Sequence, residues 1–216
     1  LDALTFYRDY VSKNRPVIIE GAIDGWSALH RWSNAYLCKT LANTRVTIDV
    51  TPDGFGDAVK ESRYFVTPLE EKMKFPEFVG ALNSSSSVLL CCVSLLVQGV
   101  HYCQHQNSSF ESEFALLHQD VEELQWATEA FGKRPDAVNF WMGDNRAVSS
   151  MHHDPYENIY CVVAGEKHFM LFPPTDLYWL GQRQFVKAHY ERRSSDGQWS
   201  IVEDSPRSTV PWYAGV

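Results

Sequence analysis

Glu157-Asn158-Ile159-Tyr160-Cys161-Val162-Val163-Ala164, then Gly165, then Glu166-Lys167-His168-Phe169-Met170-Leu171-Phe172 and Pro173-Pro174 is the run whose reading decides the fold class. Two segments rich in β-branched and aromatic residues flank one glycine and end on a proline pair, which predicts two strands of a hairpin. Upstream, Val138-Asn139-Phe140-Trp141-Met142-Gly143 is also strand-like, and downstream Gln198 to Glu203 supplies one more strand. Before Ala137 the pattern is helical. Glu111 to Phe131 places Phe114, Leu117, Val121, Leu124 and Trp126 on one stripe, with Gly132 at the C-cap position and Pro135 beyond it. Helices first and antiparallel strands after predict an α+β chain with a β-sandwich or barrel core.

The first third mixes both kinds of element. Asp2 to Val11 has Leu4, Phe6, Tyr7 and Val11 at helical spacing, and Asn14-Arg15-Pro16 stops it, because proline disfavours helical backbone in the residue before it. Val17-Ile18-Ile19 reads as a short strand. Arg45 to Val50 alternates apolar and polar, the pattern of a strand with one wet face. Thr51-Pro52-Asp53-Gly54 has turn chemistry throughout. Pro68 to Ala81 reads as a helix that Pro76 breaks or restarts. Asn83 to Ser87 and the apolar residues Val88 to Val97 have neither strand nor helix period. Residues 84–97 are therefore readable as a buried strand, an edge strand or translated intron.

Composition narrows the function classes. The 216 residues are 44% hydrophobic, enough for a sizeable core and too much for a disordered chain. No linker or charge run divides them, so a single domain over 1–216 is expected. With 19 Lys and Arg against 27 Asp and Glu the net charge is −8. That balance excludes a phosphate-gripping surface as a first reading and favours basic protein partners. The five cysteines, Cys38, Cys91, Cys92, Cys103 and Cys161, show no disulfide or zinc spacing and read as reduced thiols. The longest apolar run, Val88 to Val97, is too short to span a bilayer. The expectation is neither a nucleic-acid nor a membrane partner.

The chemistry concentrates in Ser149-Ser150-Met151-His152-His153-Asp154-Pro155-Tyr156-Glu157-Asn158. On an extended segment, residues two apart point to the same side, so His152 and Asp154 can meet one ion while His153 points away. A His-x-Asp pair provides two of the three ligands of a 2-His-1-carboxylate non-haem iron site, a geometry that leaves positions for a chelating cosubstrate and O₂. Alone the pair is a weak signal. With a two-residue turn at Gly165, Lys167 would share a sheet face with Tyr160. A lysine, a tyrosine and a hydroxyl such as Ser149 could then hold the far carboxylate of a dicarboxylic acid. By composition alone, Lys167 beside Glu166 equally suits a solvated strand face.

These segments together resemble the jumonji-C (cupin-type) Fe(II)- and 2-oxoglutarate-dependent oxygenases. The likeness rests on Asn14-Arg15-Pro16, Thr51-Pro52-Asp53-Gly54, Pro135 to Trp141, Tyr156-Glu157-Asn158 through Val163, Gly165 to Phe169 and Pro173-Pro174. It runs from about Phe6 to Trp212 and implies a double-stranded β-helix (a cupin-like jelly roll) with N-terminal and flanking helices. By resemblance His152 and Asp154 are iron ligands. Lys167 pairs with the distal carboxylate of 2-oxoglutarate, helped by Ser149 and Tyr102. Tyr160, Asn158 and Asn139 line the same pocket, and no catalytic residue is implied beyond the metal ligands.

The resemblance places the second histidine ligand on a late strand beyond Val210-Pro211-Trp212. Of the later histidines, His168 is expected to be structural and His189 solvent-facing. The third iron ligand and the last strands are therefore expected to be missing, leaving the fold incomplete at the C-terminus. The implied function is a protein hydroxylase that uses Fe(II), 2-oxoglutarate and O₂ on a lysyl residue of a GTPase of the translation-factor-related class. A catalytically inactive product with a protein-binding role and a metallopeptidase acting on histone tails are the alternatives, though no HExxH helix supports the latter. A homodimer and a cytoplasmic, also nuclear, location complete the expectations.

Overall fold

The computed structural model describes residues 2–85, 99–106 and 108–214. Most of the unpatterned run, residues 86–97, lies outside the described residues. The N-terminal third carries α1 (Ala3–Asp9), α2 (Ala28–Arg31), α3 (Asn34–Thr40) and then β1 (Arg45–Thr51). Next come β2 (Phe55–Gly56), β3 (Ala58–Lys60), β4 (Tyr64–Thr67), β5 (Leu69–Lys74), α4 (Phe75–Ser85) and β6 (Val100–Cys103). Then follow α5 (Ser109–Ser112), α6 (Gln125–Phe131), β7 (Met142–Gly143) and β8 (Val148–Ser149). The C-terminal strands are β9 (Gln182–Arg192), β10 (Trp199–Glu203) and β11 (Thr209–Tyr213). No described helix is long and apolar enough to cross a membrane.

Contacts divide the chain into two units. The first comprises Leu1–Leu41, Gln106–Asn139 and Asp154–Asp176. It is helical, and its core forms where Phe6 of α1 meets Trp126 and Phe131 of α6 edge-on, at 5.0 and 6.0 Å between ring centres. Asp2 caps α1 by accepting from the Thr5 N–H at 2.9 Å; α1 stops at Asp9, ahead of Asn14-Arg15-Pro16, and Asn14 ends the following 3₁₀ turn in left-handed backbone. A second organiser is Asp120, whose side chain is fully buried. It accepts from Ser27 Oγ (3.2 Å), Arg31 Nη1 (2.6 Å), Trp32 Nε1 (3.0 Å) and Tyr36 OH (2.7 Å).

The second unit comprises Ala42–His105, Phe140–His153 and Leu177–Val216. One sheet has the order β5-β1-β6-β7, all antiparallel; another has β10-β9-β4-β3, with β11 also paired to β9. β4 and β9 run parallel, and so do the two-residue strands β2 and β8. α4 packs on β1 and β6. Val66, Ala188 and Tyr190 form the core of the second sheet, with Tyr64, Leu69, Trp199 and Ile201 packed around them. The α+β class is as expected.

Several elements differ from their sequence reading. The polar face of β1 is only partly wet: Arg45 is exposed and Asp49 half-buried, but Thr47 is 2% exposed. The expected helix from Pro68 to Ala81 is a strand followed by a helix. Leu69, Glu71 and Met73 face inward and Glu70, Lys72 and Lys74 outward, so period-2 alternation and pairing with β1 override the helix propensity of Glu and Lys. Pro76 lies in the first turn of α4, where its missing N–H costs nothing, and Glu77 accepts from the Lys74 N–H at 2.9 Å as in a capping box.

The expected helix from Glu111 to Phe131 divides into α5, a 3₁₀ turn (Ala115–Asp120) and α6. Drawing the Asp120 carboxylate into its ring of donors leaves Val121 in extended backbone and interrupts the helix. Gly132 does end α6 in left-handed backbone. Val17-Ile18-Ile19 is not a strand, and Ile18 is 92% exposed. Glu157 to Ala164 and Glu166 to Phe172 form no ladder among the described residues, although Gly165 keeps the positive φ of a turn. Strand propensity needs partners: a two-stranded hairpin alone is marginal in water. Of Val138 to Gly143, only Met142–Gly143 is strand.

Candidate functional site

The local geometry around His152 starts from two glycines. Gly54 has φ +90°, and a Cβ there would lie 2.0 Å from the Arg146 carbonyl oxygen. That close approach lets the Gly54 carbonyl accept from the Val148 N–H at 2.8 Å and aligns β2 with β8, pairing Phe55 with Val148 and Gly56 with Ser149. The chain then enters Ser150-Met151-His152-His153 from a fixed strand end. Ser149 is exposed and Ser150 buried.

Ser150 is the hub of this corner. Its hydroxyl donates to the Asp57 carbonyl and accepts from Trp212 Nε1 at 3.0 Å. Its own carbonyl lies 2.7 Å from His152 Nδ1. A carbonyl can only accept, so Nδ1 carries a proton, and in the neutral form of the ring the lone pair lies on Nε2. The imidazole is exposed and lies nearly parallel to the Trp212 indole, 6.0 Å between centres at 11°. His153 Nδ1 shares a hydrogen bond of 3.0 Å with the Tyr213 hydroxyl, so the two histidines face different partners, as alternation requires. Burial lifts the Asp57 carboxyl above its usual range, with the charge of His152 pulling the other way.

Tyr102 lies in the same unit on β6, buried, opposite Asp49 and Gly143. Its ring is 5.9 Å from that of Trp141, and Gly143 leaves it room, since a Cβ there would lie 2.7 Å from Tyr102 Cδ2. Nearby, Asp49 accepts from Gln104 Nε2 at 2.8 Å. Burial raises its carboxyl to about 6 against that hydrogen bond.

The remaining expected residues belong to the first unit, whose boundary falls between His153 and Asp154. Asp154 is exposed and accepts from Asn158 Nδ2 at 3.0 Å, which orients the carboxylate. The Tyr160 ring meets Phe169 edge-on at 5.1 Å, and Lys167 is half-buried. Asn139 accepts from the Ser109 N–H at 3.2 Å, holding the start of α5. The structure thus groups His152, Ser149 and Tyr102 in one unit, and Asp154, Asn158, Tyr160, Lys167 and Asn139 in the other.

An imidazole whose Nδ1 is committed to a carbonyl, leaving Nε2 as the position for a metal, and an oriented carboxylate two residues on are donors that suit non-haem iron. Among the described residues no group of three or more His, Cys, Asp and Glu is arranged to hold a metal. His189, expected to face solvent, is 38% exposed and occupied, with Nδ1 2.8 Å from Asp204 Oδ1 and Nε2 3.4 Å from Glu191 Oε1. The Asp204 hydrogen bond raises the His189 ring above its ordinary value. Sequence reasoning overlooked Ser150, Asp57, Trp212 and Tyr213 as neighbours of the motif. Only Val210-Pro211-Trp212 stood out, and only as a landmark.

The cupin-like domain family model matches residues 3–213. The chain is 41% identical over 210 residues to the human bifunctional peptidase and (3S)-lysyl hydroxylase JMJD7, covering 97% of this chain and 63% of that protein. It is 38% identical over 226 residues to JmjC domain-containing protein E of Dictyostelium discoideum, covering 97% and 62%. It is also 40% identical over 211 residues to lysine-specific demethylase JMJ32 of Arabidopsis thaliana, covering 96% and 59%. The chain spans about three fifths of the length of these curated relatives.

Proposed function

Because this chain belongs to the cupin-like JmjC family, we propose that it carries the core of an Fe(II)- and 2-oxoglutarate-dependent protein hydroxylase. The observation that supports this most directly is the state of His152: its Nδ1 is committed to the Ser150 carbonyl, which puts the donor pair on Nε2. His152 and Asp154 would hold the iron, which when bound with 2-oxoglutarate supplies the O₂-activating chemistry. Asn158 keeps the Asp154 carboxylate oriented. Lys167 would meet the distal carboxylate of 2-oxoglutarate with a charge-assisted bond, and Ser149 and Tyr102 would add neutral ones.

The proposed substrate is a lysyl side chain of a protein, in keeping with the lysyl hydroxylase named for the human relative. A GTPase of the translation-factor-related class is the proposed partner, and the cytoplasm and nucleus the proposed location. The net charge of −8 favours approach of a basic segment. The test is an anaerobic titration of the chain with Fe(II) and 2-oxoglutarate, reading the visible charge-transfer band of the chelated cosubstrate. The expected result is a saturable band that His152→Ala or Asp154→Ala abolishes. When O₂ and a lysyl peptide are then admitted, the peptide is expected to gain one oxygen, with one 2-oxoglutarate converted to succinate and CO₂ per turnover. Absence of the band in folded protein would overturn the reading for these 216 residues. Peptide cleavage without succinate would point to peptidase chemistry instead.

A further inference from the structure

Trp212 touches the His-x-Asp motif in two ways. Its indole plates the His152 imidazole at 6.0 Å and 11°, an offset parallel arrangement of the kind aromatic rings prefer. Its Nε1 donates at 3.0 Å to the hydroxyl of Ser150, the residue whose carbonyl fixes the His152 tautomer at 2.7 Å. The indole is itself held. Phe65 of β4 packs against it at 4.5 Å between centres, and β11 is registered on β9 with Trp212 opposite Arg183. The next residue, Tyr213, is buried and engages His153. Successive residues of one strand thus secure successive histidines of the motif.

We propose that Trp212 is a positioning residue for His152, holding the ring face and, through Ser150, the tautomer, so that Nε2 is oriented as a donor before any metal arrives. The proposal rests on the reading of His152 as a ligand only for its functional meaning; the positioning itself is a property of the metal-free chain. A ring free to rotate and to exchange tautomers must lose that freedom on binding, which lowers affinity. Partners that orient a ligating histidine are generally worth about 10–100-fold in metal affinity.

The experiment compares the full chain with Trp212→Phe, which keeps a ring and removes the N–H donor, and Trp212→Leu, which removes both. The first readout is the imidazole NMR spectrum of the metal-free protein, with His152 assigned by the signal lost in His152→Gln. The second is Co(II) affinity. The expected outcome is a ring-current-shifted His152 signal with Nδ1 protonated in the wild type. The shift should be largely kept in Trp212→Phe, with weakened tautomer preference, and lost in Trp212→Leu. Co(II) affinity is expected to fall about 10-fold in the first variant and up to about 100-fold in the second. Unchanged His152 signals in both folded variants, or Co(II) affinity equal to wild type in Trp212→Leu, would overturn the proposal. Should Trp212→Leu fail to fold, an unaltered tautomer and affinity in Trp212→Phe would overturn it alone. A wild type that binds no Co(II) but loses the shift in Trp212→Leu would sink the iron reading and uphold the positioning.

Discussion

Asp120 and Asp49 are carboxylates with opposite environments and therefore opposite pH behaviour. Burial pushes the Asp120 carboxyl up, but Tyr36, Trp32 and the Arg31 charge outweigh it and hold it below the ordinary value. Its stabilisation is therefore complete above the unfolded carboxylate range near pH 4 and is lost as pH falls further. Asp120→Ala leaves several donors without their acceptor and is expected to cost about 3 kcal/mol in urea unfolding at pH 7, with part of that cost disappearing below about pH 4. Asp49, raised to about 6 by burial, works the other way. The unfolded chain ionises this group from about pH 4, while the folded chain keeps the proton until about 6, so folding weakens across that window and then levels. Asp49→Asn is expected to raise stability at pH 7 by on the order of 2 kcal/mol and to change nothing below pH 4, read from unfolding midpoints across the pH range.

At the scale of elements, alternation was a better guide than propensity. Leu69–Lys74 is full of helix-forming residues and is a strand because its period is two and β1 lies beside it. The converse case is Glu166 to Phe172, where strand-forming residues find no ladder among the described residues and Phe169, Met170, Leu171 and Phe172 are all exposed, Met170 at 81%. Contiguous apolar surface of this kind drives association. Met170→Lys combined with Phe172→Lys is expected to raise the solubility limit several-fold without shifting the unfolding midpoint, as measured by light scattering and thermal melting. A lower midpoint would mean that these side chains pack in the folded chain.

For the whole molecule, the α+β class, the turn at Thr51 to Gly54 and the His-x-Asp motif were legible from residue order, because each depends on spacing along the chain. Gly54 illustrates the limit of that reading. Its place in a turn is evident from Pro52-Asp53-Gly54, but its need to be glycine comes from the Arg146 carbonyl, far away in sequence. Asp120 reads as one polar residue inside a helix until Ser27, Arg31, Trp32 and Tyr36 gather round it. Trp212 reads as a landmark until its indole lies along His152. The fold class and the candidate donors His152 and Asp154 follow from the amino-acid sequence by itself, since residue type and periodicity carry them, and the family follows from the likeness of its motifs. Which strands find partners, where the Glu111 to Phe131 helix breaks and what holds His152 in place were decided only in three dimensions, because hydrogen-bond partners and ring contacts come from segments remote in the chain.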